Sequence, residues 1–204
     1  MDIRVARAVH YHGVSARLIR MESAPIRVVL TYRDYEALPA DGRRYELHDG
    51  ELVVTAAPGV PHQRLVGRLF ARLRQHVEAN GLGEVFVSPV DCILSDTTVV
   101  EPDLVYVESA RSSLVSVRGI EGPPTLVVEI LSRSTMQIDR GAKLQRYARH
   151  EIPHYWIVDP DERRIEAYAS TEGASRMVAH LAGADRGSLP PFSDLVIMAD
   201  TLWP

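Results

Sequence analysis

The segment TLVVEIL, residues 125–131, is the feature that most constrains how this chain can fold. Its apolar residues predict a buried strand, yet Glu129 stands in the middle of the run. An ionised carboxylate that is buried without a partner costs several kcal/mol, so it must shift its pKa, form an ion pair or bind a metal. The fold therefore has to bring a proton or a cation to Glu129.

Two further carboxylates stand in apolar strand contexts, Glu46 in YELHDG and Asp103 in EPDLVYV. Carboxylates that meet at strand ends form a hard-oxygen site suited to Mg²⁺ or Mn²⁺. The alternative for each of them is a half-exposed or Arg-paired side chain. The pattern alone leaves both interpretations open.

Lys143 is the only lysine among the 23 basic residues of the chain. A helix predicted over residues 134–149 would place Asp139, Lys143 and Tyr147 on one face, at i, i+4 spacing. Asp139 and Lys143 could form an ordinary helix ion pair, but Arg would serve there equally well. Lys is preferred where a compact charge orients a water or a phosphate oxygen.

The remaining pattern predicts one α/β domain with a mixed sheet and two main helices. Asp49-Gly50 predicts a hairpin turn, and Ser134 with Gln137 has capping-box spacing at the start of the second helix. The first helix, 61–79, follows from the repeat of Leu65, Leu69 and Leu73. Further strands are predicted at 84–94, 102–109, 154–160 and 164–170, with loops at 110–124 and 185–204.

Charge and composition limit the class of protein. The formal charge of −4 argues against a chain that coats nucleic acid electrostatically, and no apolar run reaches the length of a membrane helix. The single Cys92 excludes an internal disulfide and favours a cytoplasmic location. Residues 1–24 are predicted to be a disordered N-terminal arm, ahead of a single domain at 25–204.

One metal motif is set aside. HEIPH, residues 150–154, fits the zinc-protease pattern H-E-x-x-H, which needs both histidines on one helical face. Pro153 breaks the helix between them, and the residues that follow are typical of a strand.

Several motifs then follow in order: YELHDGELV, Pro61-His62 at a helix start, EPDLVYV, VVEILSRST with a later Asp, Lys and Tyr, and IPHYWIVDP. Together they resemble the Uma-type endonuclease family, formerly a domain of unknown function, of the PD-(D/E)XK restriction-endonuclease-like superfamily. The resemblance covers about residues 28–203. It implies a restriction-endonuclease-like α/β core, in which an N-terminal β-hairpin precedes a mixed central β-sheet flanked by α-helices.

The resemblance also implies a Mg²⁺- or Mn²⁺-dependent endonuclease acting on DNA. By motif, Asp103 and Glu129 are the metal-binding and catalytic acids, and Glu46 matches an early catalytic Glu of the family. The superfamily lysine should stand at position 131, which is Leu131 here; the family resembled places it on the next helix, at Lys143. Auxiliary roles fall to the three residues His62, Asp139 and Tyr147.

DNA and a second copy of the chain are the expected partners, because two sites related by a two-fold axis cut a duplex more easily. Arg64, Arg68 and Arg72 form a helical stripe that could contact DNA phosphates, although such a stripe is more often a solvated face. Two alternatives remain open. One is a degenerate nuclease fold that binds DNA or protein without cutting, and the other is a phosphodiesterase acting on another substrate.

Overall fold

The computed structural model describes residues 28–132 and 139–203. The N-terminal arm predicted at 1–24 and the capping box of Ser134 and Gln137 lie outside these ranges and stay predictions. Among the described helices, none is long and apolar enough to cross a membrane. The α-helices are α1 (Tyr32–Glu36), α2 (Val60–Ala79) and α3 (Leu144–Arg149). The strands are β1 (Arg44–His48), β2 (Glu51–Thr55), β3 (Gly83–Val87), β4 (Cys92–Ser95), β5 (Thr98–Val100), β6 (Leu104–Glu108), β7 (Val115–Ser116), β8 (Gly119–Glu121), β9 (Leu126–Ile130), β10 (His154–Asp159), β11 (Arg164–Thr171), β12 (Ala174–Ala182), β13 (Arg186–Gly187) and β14 (Ile197–Met198).

These strands form two six-stranded mixed sheets and one small pair. The first sheet has the order β2-β1-β5-β4-β8-β7, and the second has the order β12-β11-β10-β9-β6-β3. The predicted mixed sheet is confirmed by the second of these, in which β9 runs parallel to β10 and antiparallel to β6. The first sheet, which begins with the predicted hairpin, is a separate layer.

Strand β9 lies in the middle of the second sheet and is buried on both faces, which explains its nearly continuous apolar sequence. Leu126, Val128 and Ile130 pack with α2 and the C-terminal segment on one face. Val127 and Leu131 pack on the other face with α3 and with residues of the first sheet. Alternation along the strand therefore places Glu129 on the α3 face.

The β1–β2 hairpin turns at Asp49-Gly50, as predicted. Both residues have positive φ, 53° and 83°, which is the conformation required by the tight turn that Asp-Gly favours. A Cβ atom on Gly50 would also collide with Val29, so this position needs glycine for two reasons. The hairpin holds Glu46 at a fixed register opposite Val53.

The predicted strand at 84–94 is in fact two strands in different sheets. Strand β3 ends at Val87, and β4 begins at Cys92 after Pro89, whose missing N–H interrupts a ladder. The predicted loop at 110–124 likewise contains β7, β8 and most of a 3₁₀-helix, Ser109–Leu114. The chain thus passes from one sheet to the other at residues 88–91.

The second predicted helix is described from Asp139 onward. Residues Asp139–Lys143 form one π-helical turn, and α3 continues from Leu144 to Arg149. Such turns are frequent at functional sites. Here the turn carries Asp139 and Lys143 into the interior, where both side chains are buried.

Candidate active site

A cavity of about 410 Å³ lies where the β1–β2 hairpin, the start of α2 and the ends of β6 and β9 meet the π-turn. The predicted acids and the lysine all line it, together with two of the three auxiliary residues: Glu46, His62, Asp103, Glu129, Asp139 and Lys143. Tyr147, the third auxiliary residue, is fully buried and reaches the same cluster through Glu129. The structure therefore brings together residues almost 100 positions apart in the sequence.

Glu129 is 5% exposed and has two hydrogen-bond donors on one oxygen. Its Oε1 accepts a bond of 2.8 Å from Lys143 Nζ and one of 2.6 Å from the Tyr147 hydroxyl. Both donors come from the helical face predicted from the sequence. Burial raises the pKa of Glu129 to about 8, with nearby carboxylates adding to the rise and Lys143 opposing it.

Lys143 lies among three carboxylates. Besides Glu129, its Nζ is 3.6 Å from Glu46 Oε1 and 3.6 Å from Asp139 Oδ1. Burial alone would lower the pKa of Lys143, but the attraction of these carboxylates outweighs it and raises the pKa. Lys143 therefore carries a positive charge at neutral pH.

Glu46 is held from two sides. His48 Nε2 lies 2.8 Å from its Oε2, and the backbone N–H of Glu101 donates to Oε1 at 2.9 Å. Burial would raise the pKa of Glu46, but Lys143 and His48 lower it to about 2. The same cavity thus holds an ionised Glu46 and a Glu129 with a strong affinity for a proton.

Asp103 is oriented by β9 and α2 together. Its Oδ2 accepts a hydrogen bond of 2.8 Å from the Ile130 backbone N–H and lies 3.1 Å from His62 Nε2. The same His62 nitrogen lies 3.1 Å from the Ile130 carbonyl oxygen. Because a carbonyl can only accept, Nε2 carries the proton. The other ring nitrogen, Nδ1, is buried and has no hydrogen-bond partner among the described residues.

Leu131 stands where the superfamily lysine was expected, and its environment explains the difference. The side chain is 2% exposed and belongs to the apolar cluster that contains Tyr147 and Ile152. A lysine there would leave its charge against α3. The ammonium instead belongs to Lys143, on the turn that precedes that helix.

The arginine stripe of α2 does not line this cavity. Arg68 donates to the carbonyl oxygens of Leu202 and Trp203, at 2.9 Å and 2.6 Å. Arg72 donates to the Val196 carbonyl at 2.8 Å, and Arg64 is exposed. Two of the three guanidinium groups therefore hold the C-terminal segment on α2, and DNA contact by the stripe stays a prediction.

Three residues of the site had not been predicted: Arg44, His48 and Glu101. Arg44 and His48 share the face of β1 with Glu46, so strict alternation in RYELH could have identified them. Glu101 reaches Arg44 through an ion pair at 2.9 Å, which depends on the pairing of β1 with β5 and has no local sequence signal.

The donors present suit a hard divalent cation. Carboxylate oxygens dominate the lining, and Asp103 Oδ2 and the Ile130 carbonyl oxygen converge on one point, now taken by the His62 N–H. Within residues 28–132 and 139–203, no three side chains of the types His, Cys, Asp and Glu are close enough to enclose an ion. Lys143 stands between Glu46, Glu129 and Asp139 and separates them.

Comparison with known proteins gives a family and a similar fold. The model of the family Uma2, described as "Putative restriction endonuclease", matches residues 32–199. A solved structure from Anabaena variabilis ATCC 29413, described as a "putative nuclease belonging to DUF820", is similar in fold, with a TM-score of 0.70 and 18% identity. The alignment covers 85% of this chain and 97% of the other. A search of curated proteins finds no match.

Proposed function

Because the chain belongs to the Uma2 family of restriction-endonuclease-like proteins, we propose that it is a metal-dependent endonuclease that hydrolyses DNA phosphodiester bonds. The observation that carries the proposal is the convergence of Asp103, Glu129, Glu46 and Lys143 on one cavity. A structural core does not need several buried carboxylates and a buried ammonium in one cavity, since a well-packed apolar core is at least as stable.

Asp103 and Glu129 are the residues that would hold Mg²⁺ or Mn²⁺, with Glu46 assisting. When bound, the metal supplies Lewis acidity to the scissile phosphate and lowers the pKa of a water. His62 fixes the Asp103 carboxylate through its Nε2–H, at 3.1 Å. His62 is therefore a positioning residue in this proposal.

Lys143 has the role of orienting the attacking water and stabilising the charge that develops on the phosphate. Its ammonium has three N–H donors, one of which bonds Glu129 at 2.8 Å. The contacts to Glu46 and Asp139 are longer, at 3.6 Å, so these donors can turn to a water or a phosphate oxygen. Tyr147 keeps Glu129 in place while they do so.

We include a homodimer in the proposal, because two sites related by a two-fold axis can cut both strands of a duplex. Light scattering of the purified chain, with and without duplex DNA, tests this part separately. A monomer in both conditions that still makes double-strand cuts would contradict it.

The test of the activity is cleavage of plasmid and single-stranded DNA with Mg²⁺ or Mn²⁺. Wild type is compared with Asp103→Asn and Lys143→Met, which keep size while removing charge. Asp200→Asn, at an exposed position in the C-terminal 3₁₀ turn, is the matched control. We expect the two site variants to lose about 100-fold or more in rate and the control to cut like wild type.

Two results would contradict the proposal. Wild type that is folded yet cuts no DNA with either metal would point to a binding module instead. Site variants that cut as fast as wild type would show that the activity belongs to other residues.

A further inference from the structure

Arg44 is positioned on the site face of β1 although no catalytic role requires it. It lies two residues before Glu46, so the two side chains point the same way about 7 Å apart along the strand. This distance is of the same order as the spacing of successive phosphates along a nucleic-acid strand. Arg44 also lines a second cavity of about 400 Å³ next to the first.

The two cavities are adjacent, because they share lining residues, and together they are called the groove below. The shared residues are Arg44, Val54, Thr55, Ala56 and Ala57. Apart from Arg44, this wall carries no charge, and its side chains are small, so an extended backbone can approach it closely. The groove leads from the carboxylate cluster along β2 toward Gly42 and Arg43.

Arg44 is held in place by one neighbour. Its Nε donates to Glu101 Oε2 at 2.9 Å, and its Nη2 donates to the Glu101 carbonyl at 2.8 Å. These bonds use two of the five N–H donors of a guanidinium. The side chain is 21% exposed, so the guanidinium is fixed on one edge and accessible on the other. This is the arrangement in which arginine binds phosphate with good geometry.

Arg43 adds a second positive charge at the outer end of the groove. Its side chain is 66% exposed, and its ion pair with Asp41, at 3.4 Å, is of the exposed kind that contributes little. Arg43 can therefore exchange Asp41 for a phosphate without a large penalty. The inner end of the groove is strongly acidic, so cations beside it are needed to hold a polyanion there.

We propose that Arg44 and Arg43 form a phosphate subsite that binds the DNA backbone next to the scissile phosphate. Arg44 binds the neighbouring phosphate and Arg43 the one beyond it, with the uncharged wall of β2 against the sugars. The subsite contacts no bases, so it aligns the strand without reading its sequence. The proposal rests on the proposed nuclease function and adds to it the direction in which the strand leaves the site.

The experiment measures DNA binding against salt concentration. Binding of a fluorescent oligonucleotide is followed by anisotropy with Ca²⁺ in place of Mg²⁺, and a gel confirms that the strand stays intact. The variants are Arg44→Ala, Arg44→Lys and Arg43→Ala. The control is Arg176→Ala, which removes the same charge from an exposed position on β12, at the edge of the second sheet. Cleavage by wild type with Mg²⁺ is measured on the same preparation.

Each phosphate contact contributes about 0.7–0.9 to the slope of log K against log salt. We expect Arg44→Ala and Arg43→Ala each to reduce the slope by about this amount, on every DNA sequence tested. Arg44→Lys should keep the wild-type slope but bind less tightly, because lysine keeps the charge and loses the fork of donors. Arg176→Ala should leave both quantities unchanged.

The possible failures are distinguishable. If wild type cuts DNA while the Arg43 and Arg44 variants keep its slope, the subsite is wrong and the nuclease stands. If Arg176→Ala reduces the slope equally, binding is diffuse and the subsite is also wrong. If wild type neither binds nor cuts DNA, both proposals fail. Arg43 is exposed, so its variant remains informative even if Arg44→Ala does not fold.

Discussion

Glu129 and Glu46 show how two glutamate side chains in one cavity reach different protonation states, one protonated and one ionised at neutral pH. Burial raises the pKa of Glu129 to about 8, because Lys143 offsets only part of the desolvation. Glu46 lies beside Lys143 and His48 and accepts a hydrogen bond from a backbone N–H, and these neighbours together lower its pKa to about 2. The difference arises from neighbours, since both residues are similarly buried. Each residue therefore makes its own pH-dependent contribution to stability.

The pH dependence of stability can be predicted with its sign. Between the unfolded pKa of Glu, near 4.5, and about 8, folded Glu129 keeps a proton that the unfolded chain lacks. Its contribution to the free energy of unfolding therefore falls as pH rises through this window. Glu129→Gln should remove this dependence, so urea unfolding at pH 5 to 8 should vary less with pH in the variant. Equal pH dependence in variant and wild type would contradict the raised pKa.

The Tyr147 hydroxyl can be removed without changing the ring. Tyr147→Phe should lower the free energy of unfolding by about 0.5–1.5 kcal/mol, because a buried hydrogen bond to the carboxyl group of Glu129 is lost. It should also slow DNA cleavage, since Glu129 loses one of the two side-chain donors that the described residues supply. Urea unfolding and cleavage assays measure the two effects.

Tyr106→Phe is the control for this change, because the Tyr106 hydroxyl donates to the Leu82 carbonyl on the other face of the sheet. It should reduce stability and leave the cleavage rate unchanged. If Tyr147→Phe behaves in the same way, the hydroxyl has no role in the site.

At the scale of elements, the π-turn Asp139–Lys143 is attached to the second sheet through Arg140. Arg140 donates to Glu166 Oε2 at 2.6 Å and to Asp159 Oδ2 at 2.9 Å. Asp159 also caps the β10–β11 turn through its other oxygen. The hairpin that follows the helix thus fixes the turn, and with it the direction of Lys143.

Arg140→Ala should therefore lower kcat more than it weakens DNA binding, because Lys143 moves while the groove stays intact. Arg140→Lys should recover part of kcat, since one of the two ion pairs can form again. Arg149→Ala is the control. It breaks the exposed ion pair between Arg149, at the end of α3, and Asp49, and it should change neither value. An equal loss of binding and kcat in Arg140→Ala would show a general structural effect instead.

The elements that local sequence determines were the ones predicted correctly. The Asp49-Gly50 turn and helix α2 follow from turn chemistry and a leucine repeat, which act within a few residues. The site acids were predicted because a charge in an apolar strand is conspicuous wherever the strand lies. The split of 84–94 into two sheets and the position of Glu101 depend on pairing between distant strands. No local pattern encodes such pairing.

For the whole molecule, the contact between the two sheets is the decisive packing feature. Cys92 begins β4 in the first sheet and packs with Val105 and Val127 of the second, and it is fully buried. Burial raises the pKa of its thiol, with Asp91 and Glu129 adding to the effect. The single cysteine is thus a natural probe of whether the sheets stay together.

Cys92 should not react with an aromatic disulfide reagent at pH 8 while the protein is folded, because the thiol is neutral and enclosed. One thiol per chain should react promptly in denaturant. Absorbance of the released thiolate measures both states. Rapid reaction of the folded protein would show that the sheets separate readily in solution.

The Lys143 ammonium lies between the two layers, since Glu46 belongs to the first sheet and Glu129 to the second. A small rotation of one layer against the other would change the distances from Lys143 Nζ to Glu46 and to Glu129 without breaking a single strand-to-strand hydrogen bond. The site would then lose its geometry while the circular dichroism spectrum stayed native. On heating, catalytic inactivation would precede melting, and the temperature at which this protein stops working would lie below the temperature at which it unfolds.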